Sequence, residues 1–257
     1  KCPVLFKQKI SAPELDFNII SNEIQIPETL LTLKNNQRLL AGLTIYLNKW
    51  TFDHMEGDFS SYKTDLLPLK LKTDVFSLEG NVTTNINLYF ENDVVELSGN
   101  IAGENVDFIL KLFNIANASA NQNANSQVQV ITDLDITLGT HASVQLDPVL
   151  RCVFVPNTTM KLVVNQPEDL YMIDGDLKFK SGDVAYLNRN FYIKSGNIKF
   201  NRDDIANPTI TVTAETRERD ERGQTVKIVM TVEDQELLNL QPRFSSIPAK
   251  SENEIRS

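Results

Sequence analysis

The chain has two histidines. His54 and His141 lie far apart in unlike surroundings, so their spacing writes neither a metal cluster nor a Ser-His-Asp relay, and each is expected on the surface. Asp133 and Asp135 alternate with Leu134 and Ile136, which puts both carboxylates on one strand face, as a glycosidase pair or a calcium site would require. The same alternation describes a plain solvated face, which is the expectation here. Asp174, Asp176 and Asp183 flank glycines and predict turn residues rather than a ligand trio. Cys2 and Cys152 allow at most one internal disulfide, and Cys152, inside an apolar run, predicts a small buried thiol. Residues 215–222 mix both charge signs and end at Gly223, predicting a solvated hairpin loop, with partner steering as the alternative. Asn81, Asn117 and Asn157 fit the glycosylation acceptor pattern in a chain rich enough in Asn to produce it by chance. The expectation is a protein without catalysis or cofactor.

What must position these groups is sheet. Leu177 and Phe179 alternate with Lys178 and Lys180, Phe191 and Ile193 with Tyr192 and Lys194, Ile198 and Phe200 with Lys199, and Ile210 and Val212 with Thr209, Thr211 and Thr213. Each segment has one apolar and one polar face. Gly175, Gly182, Gly196 and the pairs Asn188-Arg189 and Asn207-Pro208 are expected to reverse the chain between segments, giving a meander with one continuous apolar side. The grammar extends upstream. Residues 29–34 and 38–47 predict strands around Asn35-Asn36, and residues 82–90 and 94–101 flank Asn92-Asp93. Pro68, among alternating Leu67, Leu69 and Leu71, marks an edge. Strands resume at Val128.

One segment breaks the alternation. Val106, Ile109, Leu110 and Phe113 have the spacing of a helix face and predict one short helix over residues 105–115. Residues 116–126, rich in Asn, Ala and Ser, are expected to be a mobile loop. At 257 residues, 41% hydrophobic and 23% charged, the chain is a folded one, read as a single elongated β domain over residues 1–257. A net charge of -9 argues against a nucleic-acid partner. No apolar run is long enough to span a bilayer. Lys1 in place of an initiator Met, and the capping-box spacing of Ser251 and Glu254 close to the end, read as a piece of a longer protein.

The runs Gly175-Asp176-Leu177-Lys178-Phe179-Lys180-Ser181-Gly182, Phe191-Tyr192-Ile193-Lys194-Ser195-Gly196-Asn197-Ile198-Lys199-Phe200 and Asn207-Pro208-Thr209-Ile210 resemble the C-terminal domain of TamB-family translocation and assembly proteins. The close, Phe244-Ser245-Ser246-Ile247-Pro248 followed by Ser251 and Glu254, is similar to the end of that domain. The specific match covers residues 170–255, and earlier residues share its strand texture. The resemblance implies an AsmA-like periplasmic bridge, anchored in the inner membrane by a segment absent from this sequence. Its sheet would curl into a hydrophobic groove, the β-taco. It would carry phospholipid and support outer-membrane protein assembly with an insertase of the BamA/TamA type.

The expected groove lining is Leu177, Phe179, Phe191, Ile193, Ile198, Phe200, Ile210, Val212, Ile228 and Met230. Acyl chains would bind there at roughly 0.8 kcal/mol per buried methylene, with headgroups left in water and little selectivity among lipids. Alternation alone fits the core of a closed barrel or sandwich equally. Two other functions fit as well: a scaffold that adds a strand to a partner through an open edge, and a carbohydrate-active β-solenoid using Asp133 and Asp135. A wide apolar interior would favour the groove, a filled one the scaffold, and a polar cleft with paired carboxylates the enzyme.

Overall fold

The computed structural model describes residues 10–11, 16–33, 36–72, 76–111, 129–147, 149–168, 170–201, 204–220, 222–236, 239–251 and 255. The first strands are β1 (Ile10–Ser11), β2 (Asn18–Ile20), β3 (Glu23–Leu33), β4 (Arg38–Asn48), β5 (Thr51–Ser61), β6 (Leu67–Lys72), β7 (Phe76–Glu91) and β8 (Val94–Lys111). After them come β9 (Gln129–Leu138), β10 (Ser143–Asp147), β11 (Leu150–Phe154), β12 (Thr158–Asn165), β13 (Leu170–Tyr186), β14 (Arg189–Asn201), β15 (Asp204–Arg219), β16 (Thr225–Glu236) and β17 (Arg243–Ile247). All of them join one 17-stranded sheet.

Most neighbours are antiparallel hairpins, as two-faced strands joined by short turns require. The sheet divides in the middle. The first half of β8 pairs in parallel with β9, and its second half in parallel with β10. β13 gathers both lanes again, taking β12 along its start and β11 further on. Pro68 lies on β6, which among the described residues pairs with β7 only, the edge position that a residue without an N–H tolerates.

Residues 105–111 are strand, which corrects the expected helix. Asn105 has φ 51° and the β7–β8 register shifts between Glu79 and Asn81. Val106 is buried and Ile109, three residues on and therefore on the opposite face, is half-buried, so apolar residues on both faces of the strand imitate the spacing of a helix. Pairing with β7 on one side and β10 on the other satisfies the backbone groups a helix would have satisfied internally. Phe113 and the loop expected over residues 116–126 lie outside the described residues.

The punctuation was also different in kind. Gly175 and Gly182 lie within β13, Gly196 within β14, and Asn207-Pro208 within β15, so they do not reverse the chain. Asp174, Asp176 and Asp183 are therefore strand residues rather than turn residues. The glycines are there for close approach. A Cβ at Gly196 would sit 2.3 Å from the Thr211 carbonyl, at a register shift between β14 and β15. Asn188 does lie in a turn, beside Leu187 between β13 and β14, and Asn92-Asp93 forms the expected turn between β7 and β8, with φ 49° and 63°.

Candidate functional site

The ten expected lining residues share one face and pack on one another. Leu177, Phe179, Phe191, Ile193, Ile198, Ile210, Val212, Ile228 and Met230 are all 7% exposed or less, and Phe200 is partly buried against them. Register explains the assembly: Val184 faces Phe191, Leu177 faces Ile198, Ile198 faces Ile210, and Val212 faces Val232. Leu146, Leu150, Cys152 and Phe154, from β10 and β11, belong to the same cluster. The end of the chain completes it. Leu240 packs against the cluster, Pro242 is buried, and Ile255 is 2% exposed within it. The Ile255 N–H donates to the Ser251 carbonyl at 3.2 Å, the helical turn that the capping spacing at Ser251 predicts. Arg189 donates to the Ile255 carbonyl and pairs with Glu218 at 2.7 Å. The apolar cavity left between Phe179, Ile210, Met230, Leu240 and Pro242 is about 30 Å³, too small for an acyl chain.

The same face continues into the first half of the sheet, where among the described residues it is half-buried rather than sealed. Ile24 faces Ile45, Ile45 faces Met55, Met55 faces Phe90, Phe90 faces Val95, and Val95 faces Val130. A second row runs Ile26, Leu43, Gly57, Leu88, Leu97. Every apolar residue in these two rows is half-buried. At Gly99, φ is 131° and a Cβ would meet the Asn85 carbonyl at 2.1 Å, so β7 and β8 close up where the rows cross them. The buried cluster of this half is small: Leu33, Leu39, Leu67 and Val82. Large apolar side chains also crowd one rim. Phe17 (63%), Ile19 (55%), Trp50 (68%) and Phe52 (49%) are exposed, and the Leu47 N–H donates to the Asn22 carbonyl, tying the turn before β3 to the end of β4.

The opposite face is polar. His54 stacks on Tyr46 with ring centroids 4.2 Å apart and lies 2.8 Å from Asp53, while His141 is exposed in a turn at φ 60°, so the two histidines share no site. Asp133 and Asp135 are exposed, and the Lys161 ammonium lies 2.9 Å from Asp133. Both carboxylates stand on the solvent-facing side of β9. Cys152 is free and 1% exposed, and burial pushes its thiol up to about 12. Cys2 lies outside the described residues.

The charged run is strand to Arg219, and only the short connection to Thr225 turns, which corrects the expected loop. Cross-strand partners hold it straight: Glu215 sits between Lys194 (2.9 Å) and Lys227 (2.5 Å). These two ammonium groups hold the Glu215 carboxyl at about 2, well below its ordinary 4.5.

Sequence reasoning missed the open rows of β3 to β9. Their signal was present in the alternation of residues 38–47 and 82–101, but alternation does not say which stretch of a face stays uncovered. Among the described residues, no helix is long and apolar enough to cross a membrane. The family model described as TamB C-terminal domain matches residues 35–257, both halves of the sheet rather than the last third alone. No curated protein and no solved structure matches the chain.

Proposed function

The chain belongs to the TamB C-terminal domain family, and on that premise we propose that it is a lipid-binding segment of a periplasmic bridge between the inner and outer membranes. Membership carries a role in the translocation and assembly module and association with outer-membrane assembly machinery. Phospholipid as cargo, an inner-membrane anchor outside these residues and an insertase of the BamA/TamA type as partner are the finer parts of the proposal. The observation that carries it is the pair of half-buried apolar rows crossing β3 to β8, one of them reaching Val130 on β9. A water-soluble sheet covers such a face unless something else does. Acyl chains laid across the rows would bury methylenes without polar contacts, at roughly 0.8 kcal/mol each. Trp50 and Phe52 at the rim suit the boundary between headgroup and chain. The ten residues from Leu177 to Met230 continue this face in packed form. They would meet lipid only if Leu240, Pro242 and Ile255 withdrew.

A second reading has its own support. The filled interior of β13 to β16 is what a scaffold for a protein partner would have. Native mass spectrometry with lipid extraction separates the two. The expected result is phospholipid that co-purifies with the chain and is lost from a folded Leu88→Asp/Leu97→Asp variant. A folded chain that neither carries nor takes up phospholipid from vesicles would leave the scaffold.

A further inference from the structure

The ladder between β14 and β15 stops early. Tyr192 faces Glu215, but the next positions in that register, Phe191 with Thr216, Asn190 with Arg217 and Arg189 with Glu218, are not paired. Their outer neighbours are in place. β13 stays paired with β14 as far as Tyr186 opposite Arg189, and β15 with β16 as far as Arg219 opposite Thr225. Two complete hairpins therefore splay apart, and the opening holds a cleft of about 430 Å³ lined by Asn188, Asn190, Tyr192, Thr216 and Arg217 together with the paired Arg189 and Glu218 and with Glu215, within the size range of ligand sites. The Arg189–Glu218 ion pair, at 2.7 Å, spans it at the positions where the ladder would have run.

We propose that this opening is a docking slot for one extended peptide strand of a partner protein, carrying an acidic side chain. Two facing strand edges without a ladder present main-chain N–H and C=O groups. An extended peptide supplies both in alternation, whereas a lipid or a sugar offers no such row. Charge selects the side chain. Arg217 is exposed at the slot, and Glu215 beside it is outweighed by Lys194 and Lys227, so the local balance is positive in a chain of net -9. Exposed Arg217 and Arg219 also keep the open edges from pairing with a second copy of the same basic edge. Tyr192, 61% exposed, gives the incoming strand an aromatic surface to lie on. The slot opens on the polar face and is independent of any lipid on the other.

The test uses the full chain and a fluorescein-labelled threonine–valine peptide with one central glutamate, read by anisotropy. The expected result is saturable binding, lost when alternate peptide nitrogens are methylated. Arg217→Glu, on an exposed side chain and checked for folding by circular dichroism, should weaken it about tenfold and transfer the preference to the peptide with lysine in place of glutamate. Absence of binding, equal binding of the methylated peptide, or indifference to Arg217→Glu would each overturn the slot. Failure of the lipid experiment would leave these results unchanged.

Discussion

The two halves of this sheet are written in one grammar and end in different states. In β13 to β16 the apolar face is dry, with Phe191 and Val232 at 0% and 1% exposure. In β3 to β8 the corresponding rows, Ile24 to Val95 and Ile26 to Leu97, stay half-buried. The strands do not differ in alternation. The difference lies in what packs against them: side chains from β10, β11 and the end of the chain join the buried cluster of the second half, whereas among the described residues the cluster of the first half holds only Leu33, Leu39, Leu67 and Val82. A face is thus set by strand parity, and its occupancy by the topology of distant segments. One half can serve as a rigid body while the other offers apolar surface to a ligand.

The largest effect should come from truncating the two halves in parallel. Phe191→Ala empties a fully buried site and should cost about 3–5 kcal/mol in urea unfolding. Leu88→Ala, on the half-exposed row, should cost less than about 1.5 kcal/mol and instead reduce phospholipid uptake. Equal costs would mean that the first half is as tightly covered as the second, and the contrast would fall.

Much of this was legible in the residues. The parity of Leu177, Phe179, Phe191 and Ile193 placed all four on one face, and the resemblance of residues 170–255 to TamB proteins foretold the family. What was not legible has common physical causes. Gly182 and Gly196 look like turn signals because glycine serves both reversal and close approach, and here it serves the second. Apolar residues on both faces of β8, Val106 on one and Ile109 on the other, give an apparent helical spacing. The closure of the second half depends on Ile255 reaching back to Arg189, a contact between residues far apart in sequence that no local pattern encodes.

An acid titration sharpens the comparison at a smaller scale, because the lowered carboxyl on Glu215 belongs to the closed half. Its folded value of about 2 lies below the ordinary 4.5, so the folded state binds fewer protons than the unfolded chain between these limits. The contribution of its ion pairs is therefore complete above about 4.5 and is lost progressively as pH falls toward about 2. Glu215→Gln should make the fall in urea midpoint across that window shallower, the remaining slope coming from Asp65, lowered by its Arg38 partner, and Asp220, lowered by the Gln224 N–H. An unchanged slope would remove Lys194 and Lys227 from the acid stability of this half.

The smallest stability effect, and the one most specific to the open half, is expected at the β4–β5 turn. Lys49 and Trp50 have φ 51° and 68°, the left-handed pair that a two-residue hairpin demands and that Asn-Gly fills most easily. A bulky residue there costs roughly 1–2 kcal/mol relative to a conformation it prefers. Trp50 is 68% exposed, so little packing repays that cost. Trp50→Gly removes the strain and adds freedom to the unfolded chain, two opposing terms that should leave the urea midpoint within about 1 kcal/mol of the parent. If the ring is retained for contact with lipid at the rim of the open rows, the variant should take up vesicle phospholipid more slowly while binding the same amount at equilibrium. Unchanged uptake kinetics would detach the rim from the groove and confine lipid contact to the rows from Ile24 to Val95.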